Sequence, residues 1–157
     1  MDKQIAQVLN YYAGQTRTPE WLDFHLALGA EFSEQLGENE LRVLMQRIGG
    51  RLARQLSLGA CDSLSSLQNK INAIWAQRNW GVIELLDSGD SLYIRHLVSP
   101  LVNEFGAVSI AWIGGLLEGV YEEWFKALGA GNGLHVRQAA AYNADIHSFE
   151  FVLKQVR

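Results

Sequence analysis

The stretch from Ala107 to Leu128 constrains the fold of this chain more than any other. Its apolar residues recur at steps of three and four, a spacing that predicts one face of an α-helix. The residues on that face are Val108, Ala111, Trp112, Gly115, Leu116, Gly119, Val120 and Phe125. Because a glycine inside a helix costs roughly 1 kcal/mol relative to alanine, another backbone must approach closely enough to offset that cost. We therefore expect a helix that packs tightly on a sheet or on a second subunit.

The same stretch is too short to cross a lipid bilayer. No charged residue lies between Glu104 and Glu118, but a membrane-spanning helix needs roughly 20 apolar residues. The stretch is therefore predicted to be a buried core helix, and no direct insertion into a membrane is expected.

Length and composition limit the classes of protein to which the chain can belong. Its 157 residues are 48% hydrophobic, which suits a single domain, residues 1–157, with a sizeable core. The net charge of -4 argues against general nucleic-acid binding, which needs a clustered basic surface. Cys61 is the only cysteine, so no intrachain disulfide can form. Since residues 1–14 lack the apolar core of a signal peptide, we expect a cytoplasmic protein.

Residues 1–79 carry the periodicity of four helices. These helices are predicted over residues 2–13, 18–37, 39–56 and 62–78. The first lies in an N-terminal arm, residues 1–18, and carries an apolar side formed by Ile5, Val8, Leu9 and Tyr12. A single short helix has little stability alone, so this side needs a partner, either the core of the domain or a neighbouring subunit.

Three arginines fall on one side of the third predicted helix, at Arg47, Arg51 and Arg54. One interpretation is a solvated face that pairs with nearby acids such as Glu34 and Glu40. The other is a contact for an anion or a polymer. The spacing alone leaves both open.

The period changes from 3.6 to 2 after residue 79, which predicts two β-hairpins. In the first, residues 80–86 and 92–96 flank a turn at 87–90. In the second, residues 134–142 and 146–155 flank a turn at 143–145. The resulting order predicts an α+β fold, with N-terminal helices followed by antiparallel hairpins around the central glycine-rich helix.

The sequence shows no catalytic, cofactor or metal site. The four histidines (His25, His96, His135 and His147) lack the spacing of metal ligands. Glu118 and Glu122 share one helix face and so cannot flank a substrate from opposite sides, which favours capping, ion pairing or subunit contact. No phosphate-binding loop or nucleophile elbow is present. A non-enzymatic role in binding or assembly follows by elimination.

Two sets of residues resemble the family of bacterial cellulose synthase D subunits, also named cellulose synthase operon protein D. The first is Ile71–Trp75, INAIW, together with Asn79–Val82, NWGV. The second is Leu117–Trp124, LEGVYEEW. The helical segment 24–56 is also similar, so the resemblance covers roughly residues 20–150.

This resemblance implies an accessory subunit without catalytic activity. Members of the family form dimers that assemble into a closed octamer, a tetramer of dimers. The octamer helps several cellulose synthase complexes to align so that glucan chains crystallise into ordered ribbons. The implied partners are the cellulose synthase complex and a proline-rich protein encoded alongside it. The family has also been placed in the periplasm with glucan passing between subunits, but the expected lack of a signal peptide favours a cytoplasmic scaffold.

The resemblance also suggests candidate contact residues. The candidates for subunit interfaces are Asn79, Trp80, Gly81, Gly115, Glu118, Gly119, Tyr121 and Trp124. Core packing is the alternative for Trp124. Tyr11, Tyr12 and Trp21 are candidates for contact with glucan or a partner, because aromatic rings offer apolar area to sugar faces. Packing between helices is their alternative.

A hypothesis from another class is a small-molecule sensor. In that case the glycine-rich helix and the sheet would enclose an apolar pocket.

Overall fold

A computed structural model describes residues 3–15 and 19–155 of the chain, with the side chains of residues 13–15 left aside. Its helices are α1 (Lys3–Gln15), α2 (Pro19–Gln35), α3 (Glu38–Gln55), α4 (Leu64–Arg78), α5 (Leu101–Phe105) and α6 (Gly114–Phe125). Its strands are β1 (Val82–Asp87), β2 (Leu92–Leu97), β3 (Leu134–Gln138) and β4 (Phe149–Gln155). These elements confirm the predicted α+β fold, with helices before two antiparallel hairpins.

The two hairpins join into one antiparallel sheet with the strand order β1-β2-β4-β3. Ile94 on β2 lies opposite Leu85 on one side and Phe151 on the other, which fixes the register across the centre. One face of the sheet is buried in the core through Ile83, Ile94, His96, Val136, Phe149 and Phe151. The other face carries the ion pairs of Arg95 with Glu84 and Glu150.

Helix α6 lies between α3 and the sheet, and glycines allow α3 and α6 to touch through their backbones. A Cβ atom at Gly119 would lie 2.1 Å from the carbonyl oxygen of Gln46. A Cβ atom at Gly49 would lie 2.0 Å from the carbonyl oxygen of Leu116. The close approach that the glycines predict is therefore made by a helix of the same chain.

The stretch predicted as one continuous helix is divided into three parts. Residues Ala107–Ala111 form a 3-10 turn, α6 follows, and Lys126–Ala130 widen into a π-helical turn. Before them the chain forms the short helix α5, which the sequence analysis did not predict. The break before α6 has a tertiary cause, because the indole N–H of Trp112 donates to Ser33 Oγ at 2.9 Å and anchors the turn on α2.

The second hairpin is shorter than predicted. Strand β3 ends at Gln138, and β4 begins only at Phe149. Between them, Asn143 and Ser148 form an isolated bridge, and His147 has a φ of 51°. A left-handed residue cannot continue the extended pairing, so the strands separate there into a wide loop.

Candidate functional site

Glu118 is the centre of a buried polar network at the crossing of α3, α6 and β3. Only 1% of its surface is exposed. Its Oε1 accepts hydrogen bonds from Arg42 Nε at 3.1 Å and from Gln46 Nε2 at 3.0 Å. Its Oε2 accepts from the backbone N–H of Gln138 at 2.7 Å. The buried carboxylate is thereby both ion-paired and hydrogen-bonded, as such a charge must be to offset its desolvation.

Glu122, one turn later on α6, continues this network along β3. Its Oε1 accepts from the backbone N–H of Val136 at 3.3 Å and lies 2.9 Å from His135 Nδ1. Glu118 and Glu122 therefore occupy two backbone donors on the outer edge of β3. Closing an edge in this way prevents another strand from pairing with those positions. Capping and ion pairing are thus the roles that these carboxylates have within the chain.

The opposite edge of the sheet is closed by α4. Asn72 accepts from the backbone N–H of Ile83 at 2.7 Å and donates to the Ile83 carbonyl at 3.1 Å. Gln68 accepts from the backbone N–H of Leu85 at 2.8 Å. The sequence analysis missed Gln68 and Asn72 as functional side chains. Their spacing of four on a predicted helix, next to a predicted strand, was the available signal.

A chain of hydrogen bonds runs through the core beneath the Asn79-Trp80-Gly81 segment. Trp75 Nε1 donates to Tyr121 Oη at 3.1 Å, and His96 Nδ1 is bonded to the same hydroxyl. His96 Nε2 lies 2.6 Å from the carbonyl oxygen of Trp80, which can only accept, so Nε2 carries the proton. Tyr121 Oη then donates to His96 Nδ1, so each polar side-chain atom of this hydrogen-bond network has a partner.

Burial determines the ionisation of this network. Desolvation lowers the pKa of His96 from 6.5 to about 4, against a smaller opposing effect of the hydrogen bond to Trp80. Desolvation also raises the pKa of Tyr121 well above its ordinary value. Both side chains are therefore neutral near pH 7, and the network supplies structure without a buried charge.

The described residues give no sign of a metal centre or a membrane span. Among residues 3–15 and 19–155, no three side chains of His, Cys, Asp or Glu are grouped to hold a metal ion. Within the same ranges, none of the helices is both long and apolar enough to cross a bilayer.

The sequence model of the cellulose synthase D subunit family matches residues 7–151 of the chain. The chain belongs to this family. The resemblance noted in the sequence is thereby confirmed, and membership of the family supports a role in cellulose biosynthesis.

Two relatives in this family carry the name cellulose synthase operon protein D, both from Komagataeibacter xylinus. One is 31% identical over 111 residues, which is 69% of this chain and 71% of the relative. The other is 29% identical over 122 residues, which is 76% of this chain and 78% of the relative.

A solved structure also shares the fold. It is a trafficking protein particle complex subunit 3 from Naegleria fowleri, covalently bound to palmitic acid. The TM-score is 0.57, over 87% of this chain and 93% of the other. Because the two sequences are only 11% identical, the similarity concerns the fold alone.

Most of the predicted interface candidates of this family member lie inside the protomer. The buried ones are Gly115, Glu118, Gly119, Tyr121 and Trp124. They pack against α3 and the sheet of the same chain, so a direct contact with another copy would require those elements to separate. Trp124 lies in the core, which was the alternative to an interface role: its indole N–H donates to Leu56 O at 2.9 Å.

The Asn79-Trp80-Gly81 segment is nearer to the surface. Asn79 is exposed and ends α4 in a left-handed conformation, with a φ of 56°. Trp80 is partly buried and stacks on Trp75 with ring centroids 5.1 Å apart. At Gly81 a Cβ atom would lie 2.1 Å from Leu97 O, so the close backbone neighbour is β2 of the same chain. Subunit contact through Asn79 and Trp80 stays a prediction.

The aromatic contact candidates are all exposed. Tyr11 and Tyr12 on α1 are 64% and 60% exposed, and Trp21 on α2 is 57% exposed. Phe24, also on α2, is 57% exposed and lies 6.0 Å from Trp21 between ring centroids. We call Trp21 and Phe24 the α2 aromatic patch. More than half of the surface of each of these side chains is exposed, so contact with glucan or a partner stays a prediction.

Proposed function

We propose that this chain is a non-catalytic accessory subunit of bacterial cellulose synthesis that acts as a homo-octameric scaffold, a tetramer of dimers. In this role it holds cellulose synthase complexes in alignment, so that their glucan chains crystallise into ordered ribbons. The observation that carries the proposal is the exposed apolar surface of α1 and α2, which contact with another copy would bury.

Helix α1 exposes most of its apolar side. Of the four residues predicted on that side, Ile5, Val8 and Tyr12 are exposed, whereas Leu9 is partly buried. One recorded contact to the rest of the protomer is that of Asn10 Oδ1 with His147 Nε2, at 3.0 Å. A helix of 13 residues is marginal in water by itself. Of the two partners predicted for its apolar side, the neighbouring subunit is therefore the one that we propose.

The α2 aromatic patch supports the same conclusion. Exposed Trp and Phe side chains on one helix are typical of interface anchors, which bury much apolar area at little cost in conformational entropy. The sheet offers less, because side chains of α4 and α6 already bond to outer-edge amides of β1 and β3. Association between copies through helices is thus favoured over addition of strands.

We further propose that the scaffold lies in the cytoplasm, where it contacts the cytoplasmic side of the synthase complex and a proline-rich protein encoded alongside it. In the periplasmic alternative, Tyr11, Tyr12 and Trp21 would stack on glucan chains that pass between subunits. Protease protection in spheroplasts separates the two: protection with cytosolic markers supports the scaffold, and digestion with periplasmic markers supports the glucan channel.

The apolar pocket that the sensor hypothesis predicts between α6 and the sheet receives no support. The space between α6 and the sheet, where its pocket was expected, is filled by fully buried side chains such as Tyr121, Val136, Phe149 and Phe151.

The oligomeric scaffold is tested by the mass of the assembly in solution. Light scattering after size exclusion should give eight times the chain mass of 17.5 kDa at micromolar concentration. The double variant Trp21→Ser/Phe24→Ser should give a smaller species. The matched control is Val82→Ser/Leu86→Ser, two exposed apolar residues of strand β1, which should leave the mass unchanged. A monomeric wild-type protein would refute the proposal.

A further inference from the structure

A groove between α2, α3 and α5 has the size and lining of a small-molecule site. Its volume is about 440 Å³, within the roughly 300–1,000 Å³ of typical ligand sites. Its apolar walls are formed by Ile48, Leu52, Trp80, Leu101, Phe105 and Leu116. The end of α4 borders it with Arg78 and Asn79.

Three polar side chains on this groove have no partner in the part of the chain that the structure describes. They belong to Arg51 and Gln55 on α3 and to Asn79. Across residues 3–15 and 19–155, the structure records no hydrogen bond or ion pair for these three side chains. Their donors are therefore available to a bound molecule.

The charge at the groove is positive. Arg51 and Arg78 line it, with Arg78 Nη1 donating to Ile74 O at 3.0 Å, while its acidic residue, Glu104, is bonded to His25 Nδ1 at 2.7 Å. Of Arg47, Arg51 and Arg54 on α3, Arg54 alone has an acidic partner among residues 3–15 and 19–155, Glu123 at 3.5 Å. A guanidinium presents several donors that match carboxylate, sulfonate or phosphate oxygens.

Trp80 gives the groove a flat and rigid apolar wall. Its indole stacks on Trp75 at an interplanar angle of 11°, and its carbonyl accepts the hydrogen bond of His96. A wall that is fixed before binding lowers the entropy that binding costs.

We propose that this groove binds a small amphipathic anion. Arg51 holds the anionic group with help from the side chains of Gln55 and Asn79, and a planar apolar body lies against Trp80 and Leu52. The groove borders the α2 aromatic patch through His25, whose ring stacks on Trp21 with centroids 6.3 Å apart, but the three proposed anion contacts lie on α3 and at the end of α4.

Two fluorescent probes with the same carbon skeleton test the proposal. One is 8-anilinonaphthalene-1-sulfonate, which carries an anionic group. The other is N-phenyl-1-naphthylamine, which lacks it. Both are titrated into the full chain in its native assembly. We expect the anionic probe to bind more tightly than the neutral one.

A first pair of variants tests the location. Ile48→Trp, at a position 42% exposed on the groove wall, should abolish groove binding of both probes. Val43→Trp, at a position 50% exposed on the same helix but outside the groove, should bind both as the wild type does. Circular dichroism checks that both fold. If Ile48→Trp binds the probes unchanged, they lie on another surface, such as the α2 aromatic patch, and the proposal is overturned.

A second pair tests the charge. Arg51→Gln should weaken the anionic probe roughly fivefold or more and leave the neutral probe unchanged. Arg47→Gln, on the same helix but outside the groove, should leave both unchanged. Three results would overturn the anion site: no binding of either probe by the wild type, no effect of Arg51→Gln on the anionic probe, or an equal effect of the two arginine variants.

Discussion

Replacing two adjacent glycines of α3 by alanine should change stability in opposite directions. At Gly49 a Cβ atom would lie 2.0 Å from the carbonyl oxygen of Leu116 and 2.9 Å from the backbone nitrogen of Val120. At Gly50 the nearest atom is Arg54 Nη1 at 3.5 Å, an ordinary contact at the end of a flexible side chain. Both positions are buried in the same helix, so Gly50→Ala is a matched control.

The magnitudes follow from two opposing effects. Gly49→Ala forces the crossing of α3 and α6 to open by more than about 1 Å, and such overpacking costs about 3 kcal/mol or more when backbone atoms must move. The higher helix propensity of alanine returns roughly 1 kcal/mol. The net loss is about 2 kcal/mol, or roughly 4–8 °C in Tm for a chain of this size. Gly50→Ala retains only the propensity gain, roughly 1 kcal/mol.

Urea and thermal unfolding, followed by circular dichroism at one fixed protein concentration, measure both variants. Fixed concentration is needed because association stabilises the folded state by mass action. If Gly49→Ala were as stable as Gly50→Ala, the backbone contact between α3 and α6 would not have the importance assigned to it.

Two further predictions concern the polar side chains of the core and the sheet edge. Asn72→Ala removes the hydrogen bonds from its side chain to both backbone groups of Ile83, and the free energy of unfolding should fall by about 2 kcal/mol. Amide hydrogen exchange at Ile83 should become faster. Asn69→Ala, on the same helix, should leave that exchange rate unchanged. His96 has a pKa of about 4 when folded, compared with 6.5 as its ordinary value, so below pH 6.5 the unfolded chain binds a proton that the folded chain does not. Stability should therefore fall by about 2 kcal/mol between pH 7 and pH 5 through this residue, and urea unfolding of His96→Gln should show a smaller dependence on pH. An identical pH dependence in the two proteins would contradict the burial of a neutral His96.

The local elements could be read from the sequence because their signals are local. The third helix was predicted over residues 39–56 and spans Glu38–Gln55. The first hairpin was predicted from alternation around the turn at residues 87–90, and its strands pair as expected. In both cases, the pattern of buried and exposed residues within one element is enough to specify it.

The candidate site was less predictable because it depends on pairs of residues far apart in the chain. In the sequence, Glu118 is one acidic residue on a helix face. No neighbouring residue in the sequence indicates that Arg42 and Gln46 will enclose its carboxylate. The exposure of Tyr11, Tyr12 and Trp21 was likewise not predictable, because it depends on whether distant segments of the folded chain pack over them. An apolar stripe on a helix predicts that a partner exists but not whether it belongs to the same chain.

The sequence by itself determined the family, the α+β class and the need for a close backbone neighbour at the glycines of α6. Only the tertiary structure decided that this neighbour is α3, that Glu118, Tyr121 and Trp124 serve the core, and that helix side chains bond to both edges of the sheet. The physical reason is that periodicity and capping act over a few residues, whereas the contact of Gly49 with Leu116 joins segments that meet only when the whole chain has folded.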